Sequence, residues 1–461
     1  MFILFASRYV DPFAPGANQL VYLQAKGLNR IKNLSVKILT WPNGDLWGGA
    51  RLSESQNPNF YLNEKRSEVE YIVINPPKKF EIPWNGDVLS EENWALAVQY
   101  GVSLLQAINP SILHMHHRHG FWWLLEAAQK IGLPTIYTNY DWGLACLRTT
   151  LVQENKKICN GKLGEKKCIT CITNSRSSLL GKINEQIVKF KVIRSLLILT
   201  EKIPNLNSFL KSKGFVSSQI NNRYRIQKSR AMTVLQNLNA LITPSNFGKK
   251  FFCGLGCNRK IVNVIPWFFD PKKVHAKNQK GKPTILFLGR NSPEKGVHLI
   301  FESLEQNIIK TPVTIRIAGI NNSKYCKNLM MKYPKRVGIH FVEWRPWGPI
   351  KDLLKGSEAI IIPSLWMENT PHVLIIAIAQ KIPVILTKVA SMNEFICEGK
   401  TGFFATYNSA KSLSAAINRF LKSRSKLPRY KNHFPKILTR SMYCNQLNKI
   451  YRKIKPQNEK N

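Results

Sequence analysis

Short apolar runs alternate with stretches of helical spacing along most of the chain, and no other feature narrows the fold as much. The first series is FILFA (2–6), VKILT (36–40), VEYIVI (69–74), ILHMH (112–116) and PTIYTN (134–139). Between them lie LVYLQAKGL, SEENWALAVQYGVSLLQAI and FWWLLEAAQKIG, whose apolar positions recur three and four apart. A second series follows: LNALITPS (238–245), KIVNVIP (260–266), TILFLG (284–289), VTIRIAG (313–319), IHFVEW (339–344), AIIIPS (359–364) and PVILT (383–387). Strands joined through helices must run parallel, and a parallel sheet needs both faces covered. The chain is therefore expected to be α/β, with two Rossmann-like doubly wound domains facing across a cleft. The Lys-rich stretch DPKKVHAKNQKGKPT (270–284) separates them, giving domains over 1–270 and 271–430 and a basic segment over 431–461. Ligands of such sheets sit beyond the carboxyl ends of the strands, so the loops there are expected to hold the chemistry.

The 461 residues carry 68 Lys and Arg against 27 Asp and Glu, a formal charge of +41, which draws anions of every kind. The cations are scattered rather than gathered into a stripe interleaved with exposed aromatics, so a dedicated nucleic-acid surface is not expected. They are densest in a helical insertion over about 174–235, where only Glu185 and Glu201 oppose Lys189, Lys191, Arg194, Arg223 and Arg225 among others. Apolar clusters at helical spacing make this segment amphipathic, suited either to an anionic membrane surface or to a solvated hairpin. No apolar run reaches the ~18 residues of a membrane span, and MFILFAS meets Arg8 without a basic leader. The expected location is cytoplasmic, with peripheral membrane contact through the basic helices. Nine cysteines, an odd count with no secretory signal, argue against a disulfide framework. Cys168 and Cys171 have the spacing of a metal knuckle, and Cys146 with Cys159 would complete a structural zinc site; unligated thiols are the other reading.

Two stretches carry the chemistry. In TILFLGRNSPEKGVHLIFESL, Gly289 ends a strand, Arg290 follows, and Lys295 with Gly296 opens a helix. A planar fork, a point charge and the free N–H groups of a helix start suit a diphosphate, although a solvated turn would use the same residues. In PSLWMENTPHV, a strand delivers Ser364, Leu365 and Trp366 to the cleft edge, and Glu368 and Asn369 form the turn. Thr370 is placed to cap the following helix, with Pro371 at its first position. There Glu368 would face a neutral polyol such as a sugar. In HMHHRHG, alternation puts His114 and His116 on one face and His117 and His119 on the other. They read as a polar cleft lining, with His116 or His117 available to an acceptor. Trp122 and Trp123 read as core.

These pieces, together with SRYVDPFAPGAN, ITPSNF, VIPWFFDP, RIAG, EWRP and NEFICEGKTGF, follow one order. In that order they resemble the group 1 (family 4) glycosyltransferases of the two-domain GT-B fold, over most of the chain. The resemblance implies retaining transfer of a sugar from a nucleotide-sugar donor, held by the C-terminal domain, to a glycan or lipid-linked acceptor. No catalytic metal or other cofactor is implied. By position, Arg290 and Lys295 correspond to the pair that neutralises the departing diphosphate, and Glu368 to the carboxylate facing the donor sugar. Gly16 corresponds to a glycine of the first loop, Asp141 to the acid of a His-Asp pair near the acceptor, and Glu394 to a matching turn. The C-terminal segment is implied to pack back on the first domain. Departures from the pattern are Ile376 where a second Glu would reach the nucleotide ribose, Ala390 and Ser391 for two glycines, Lys381 and Ala17 for single ones, and Tyr140 for the His. Losing the ribose carboxylate alone costs about 10- to 100-fold in affinity. Two readings follow: an enzyme with an altered donor, or a weakened relative that binds sugars, polyanions or membranes.

Overall fold

In a computed structural model the chain is described over residues 1–7, 10, 16–40, 61–66, 69–74, 91–117, 121–153, 156–161, 164–175, 217–270, 282–319, 324–333, 339–343 and 350–454. The expected helices over 176–216, the stretch 271–281, His119 and positions 344–346 of the EWRP segment lie outside the described residues.

The first half runs β1 (Phe2–Ala6), α1 (Ala17–Leu28), β2 (Ser35–Thr40), β3 (Tyr61–Arg66), β4 (Val69–Ile74), α2 (Glu91–Ile108), β5 (Ile112–Met115), α3 (Trp123–Lys130) and β6 (Thr135–Thr138). It continues with α4 (Glu165–Ser175), α5 (Ser217–Gln236), β7 (Ala240–Thr243), α6 (Asn246–Gly254) and β8 (Val262–Val264). Its sheet has the order β3-β4-β2-β1-β5-β6-β7-β8, parallel throughout except for β3, which pairs antiparallel with β4 at the edge. The second half comprises β9 (Thr284–Leu288), α7 (Val297–Leu304), β10 (Thr314–Gly319), α8 (Lys324–Lys332), β11 (Ile339–Glu343), α9 (Ile350–Leu354), β12 (Ala359–Ile362) and α10 (His372–Ala379). It ends with β13 (Val384–Thr387), β14 (Gly402–Ala405), α11 (Ala410–Ser423) and α12 (Arg440–Ile454). This sheet is parallel in the order β11-β10-β9-β12-β13-β14. Both are doubly wound, as the alternation of runs dictates.

The central strands read ILF, III and VIL because both of their faces are buried. One apolar cluster passes from the first sheet through Trp142 and Met367 into the second. Helix α12 lies on α1, inserting Tyr443, Cys444, Leu447 and Tyr451 into the core of the first half. Trp122 and Trp123 are buried as core. Among the described residues no helix is long and apolar enough to cross a membrane.

His114 shows what this packing does to a titratable group. Its Nδ1 meets the Tyr451 hydroxyl at 2.7 Å and its Nε2 the Thr138 hydroxyl at 2.7 Å. Burial pushes its pKa down to about 3, and pushes that of neighbouring His116 well below the ordinary value. The unfolded chain protonates these imidazoles near 6.5, so the folded pKa values are depressed. Their contribution to stability is complete above about pH 6.5 and is lost as pH falls from there toward the folded values. Each such histidine removes about 1.4 kcal/mol of stability per pH unit in that window. Urea midpoints should therefore drop between pH 7 and pH 5, and His114→Gln should flatten the dependence by one proton.

Candidate active site

A cavity of about 360 Å³ lies where the carboxyl ends of the two sheets face each other, and its walls come from both halves. From the first half come Gly16, Ala17, Asn18, Tyr140, Asp141 and Trp267; from the second, Arg290 and the continuous run Trp366 to His372. Gly16 adopts φ 76 and serves as N-cap of α1 without any side-chain cap or acidic residue in the first turn. The amide end of α1 thus reaches the cavity wall, with a partial positive charge suited to an anion.

The loop after β9 forms a 3-10 turn over Pro293–Lys295 and then turns through Gly296 into α7. Gly296 has φ 73, and a Cβ there would lie 1.9 Å from the Pro363 carbonyl oxygen. Only glycine lets this loop press on the loop after β12, where Leu365 N–H donates to Glu294 O at 2.8 Å. The contact delivers Lys295 Nζ to Glu368 Oε1 at 2.6 Å, with Ser364 Oγ donating to the same oxygen at 2.7 Å. Lys295 Nζ sits 4.6 Å from the Trp366 ring centroid and the Arg290 guanidinium 5.8 Å from it. The side chains of Glu368 and Lys295 are 5% and 18% exposed, whereas Arg290 is 62% exposed and pairs with Glu294 at 3.4 Å.

Arg290, Lys295 and Glu368 are thus gathered around one indole, but not as two cations opposite an acid. Lys295 is turned from the cavity wall onto Glu368, because a carboxylate this buried needs a counter-charge close by. Asn369 lines the cavity and donates through Nδ2 to the Asn139 carbonyl. Thr370 also lines it but does not cap α10: at φ 58 its hydroxyl donates to Ser391 Oγ at 3.0 Å, and Pro371 takes the cap position. Ser391 also accepts from Thr370 N–H at 2.7 Å and donates to Glu368 O at 2.9 Å, so this serine, in place of a family glycine, stitches the carboxylate turn from behind. Asp141 lines the cavity and accepts from Gly143 N–H at 2.7 Å. Gly289 is not on the wall; its N–H bonds Ala318 O and the next residue, Arg290, reaches the cavity.

Other sequence expectations are corrected. His116 is 1% exposed, enclosed by Phe5, His114 and Tyr140, while His117 lines the cavity. β5 ends at Met115, and beyond it His117 turns to meet Ser7 Oγ at 2.6 Å and stacks on Tyr140, which in turn stacks on Trp267 at 4.9 Å. Ile376 faces the core rather than the cavity. Glu394 lies away from the cavity, its carboxylate accepting from the N–H groups of Asn246, at 2.8 Å, and Phe247 at the start of α6. Lys381 and Ala390, at family glycine positions, keep left-handed backbone with φ 56 and 45. Cys146, Cys159, Cys168 and Cys171 form no disulfide, and among the described residues no group of three or more His, Cys, Asp or Glu side chains is placed to hold a metal ion. Two of these sulfurs have other partners: Gly161 N–H meets Cys159 Sγ at 3.3 Å, and Arg148 meets Cys171 Sγ at 3.8 Å. Trp267 and His372 were missed as wall residues. The one signal for His372 was its place at the head of an otherwise apolar helix.

The family model described as glycosyl transferases group 1 matches residues 269–436, which carry the β9 and β12 loops and Glu394. Over these residues the chain resembles that family, and its two facing sheets have the GT-B fold. Relatives include a putative glycosyltransferase, YtcC, of Bacillus subtilis, 26% identical over 186 residues, or 38% of this chain and 46% of that protein. Another is the UDP-Gal:alpha-D-GlcNAc-diphosphoundecaprenol alpha-1,3-galactosyltransferase of Escherichia coli, 28% identical over 177 residues, or 34% of this chain and 44% of that protein. The chain spans less than half the length of these two relatives. Solved structures extend the likeness over 98% of the chain. A sucrose-phosphate synthase from Thermosynechococcus elongatus has a TM-score of 0.61 at 14% identity over 99% of its length. Anabaena HepE in complex with UDP and glucose has 0.59 at 13% over its full length.

Proposed function

We propose that the chain is a retaining glycosyltransferase that moves a sugar from a nucleotide-sugar donor to a hydroxyl of a glycan or lipid-linked saccharide. The observation that carries this reading is the gathering of Glu368, Lys295 and Arg290 around Trp366 at a cavity whose opposite wall is the uncapped start of α1. Arg290 and the α1 amides offer positive charge to a diphosphate, and the buried Glu368–Lys295 pair places a carboxylate beside the sugar that the diphosphate carries. As the bond from the anomeric carbon to the diphosphate breaks, the acceptor oxygen bonds that carbon on the same face and its proton passes to the departing diphosphate. Fixed cations stabilise the charge that develops on the leaving group, and they act more strongly in a closed site than in water. The names of the relatives support the substrate class: one protein acts on a UDP-sugar and a diphosphoundecaprenol-linked sugar, and HepE holds UDP and glucose. No catalytic metal or cofactor belongs to this reading.

The test is a panel of UDP-, GDP- and ADP-sugars incubated with the purified chain, reading release of nucleoside diphosphate and the anomeric configuration of any product. At least one donor should be turned over with retention. Silence across the panel, alongside an active control enzyme, would overturn the proposal.

A further inference from the structure

Helix α10 reads HVLIIAIA, and an imidazole at the head of so apolar a helix calls for a physical reason. His372 lines the cavity between Pro371 and the Phe269 ring, whose centroid is 6.1 Å away at an interplanar angle of 71°. Its Nε2 is buried and has no hydrogen-bond partner. The Phe268 main chain bonds the ring, and since Nε2 is unpartnered that contact falls to Nδ1. The tautomer is thereby set: the proton sits on Nδ1 and the lone pair on Nε2. Burial, opposed by the Phe268 bond, pushes the pKa down to about 4, so the ring is neutral at physiological pH.

His372 is not the only unpartnered group on this wall. Asn369 Oδ1 and Trp366 Nε1 are also buried without partners, and both residues line the same cavity. Buried polar atoms in folded proteins nearly always find partners, so a wall with three orphans within seven residues marks where a ligand supplies them. A phosphate cannot serve Nε2, because phosphate oxygens and the imidazole lone pair are both acceptors. The partner must bring a hydrogen, and in a nucleotide sugar the groups rich in such hydrogens are the hydroxyls. Ile376, one turn further along α10, is buried in the core and offers no acceptor.

We propose that His372 Nε2 accepts a hydrogen bond from a hydroxyl of the bound nucleotide sugar and so determines which donor the cavity takes. This assignment rests on the transferase reading. The hydroxyl has two sources, the nucleotide ribose and the transferred hexose.

The experiment is calorimetric titration of the wild type, His372→Phe and His372→Asn with UDP, GDP, ADP, their glucose conjugates and inorganic pyrophosphate, repeated with 2′- and 3′-deoxy forms of the tightest ligand. His372→Phe should weaken the tightest ligand about 10-fold and leave pyrophosphate unchanged. Wild type should lose the same factor when the matching hydroxyl is removed, and the variant should be blind to that removal. A loss already present with the nucleoside diphosphate assigns the ribose; a loss confined to the conjugate, and absent with deoxyribose forms, assigns the hexose. Melting temperatures identify a misfolded variant, and the deoxy ligands probe the intact wild type regardless. Equal affinities, or losses that simply add, would overturn the role of His372 alone. No binding of any nucleotide to wild type would overturn the transferase reading and this inference with it.

Discussion

Lys295→Ala is expected to lower kcat/KM for the best donor by about 10²- to 10³-fold, the scale seen when one fixed electrostatic group is removed from a reaction centre. The side chain does two things at once. It neutralises Glu368 at 2.6 Å in a nearly buried setting, and it lays positive charge on the Trp366 face beside Arg290. Without it, Glu368 keeps only the Ser364 hydroxyl on that oxygen. Arg290→Ala should cost less, about 10-fold and mainly in KM, because that guanidinium is mostly solvated and its charge is screened. Steady-state kinetics with matched melting curves would check both, and a Lys295→Ala enzyme within twofold of wild type would remove the lysine from the reaction.

The second large effect is on stability. Gly296→Ala should destabilise the fold by more than about 3 kcal/mol, since it combines a left-handed backbone with an overlap against main chain that cannot rotate away. The Cβ would sit 1.9 Å from Pro363 O, and relieving it means pulling apart the two loops that bring Lys295 to Glu368. Gly16→Ala is the matched control: φ is 76 there too, but a Cβ meets nothing within 4 Å, so only the backbone preference is lost, about 1 kcal/mol. Urea unfolding of the two variants separates conformational strain from collision, and equal losses would show that the contact with Pro363 is not rigid.

The two-sheet architecture was legible because buried parallel strands must be continuously apolar, and the runs around Ile3, Ile285, Ile361 and Ile385 are. Strands β3 and β14 were not. YLNEKR is a polar edge strand that reads as loop, and GFFA is short and opens on a glycine that a strand seldom favours. Within the site, sequence order sufficed to bring Arg290, Glu368 and Asn369 to strand ends, since topology alone places them. It could not show that Lys295 turns to Glu368, a residue 73 positions away, nor that Glu394 spans to α6. Such pairings depend on how the two sheets dock. His116 and His117 were indistinguishable for a related reason, because the strand ends between them and alternation stops.

The stretch from Trp366 to His372 is fastened to the opposite half of the molecule by the main chain of Met367 and the side chain of Asn369. Met367 N–H donates to Thr150 O at 3.0 Å, Trp142 Nε1 donates to Met367 O, and Asn369 reaches Asn139 O. The two halves cannot part beside the cavity without breaking these ties, so the angle between the sheets is held from within the wall itself. Trp142→Phe would remove one tie without touching Glu368, Lys295 or Arg290.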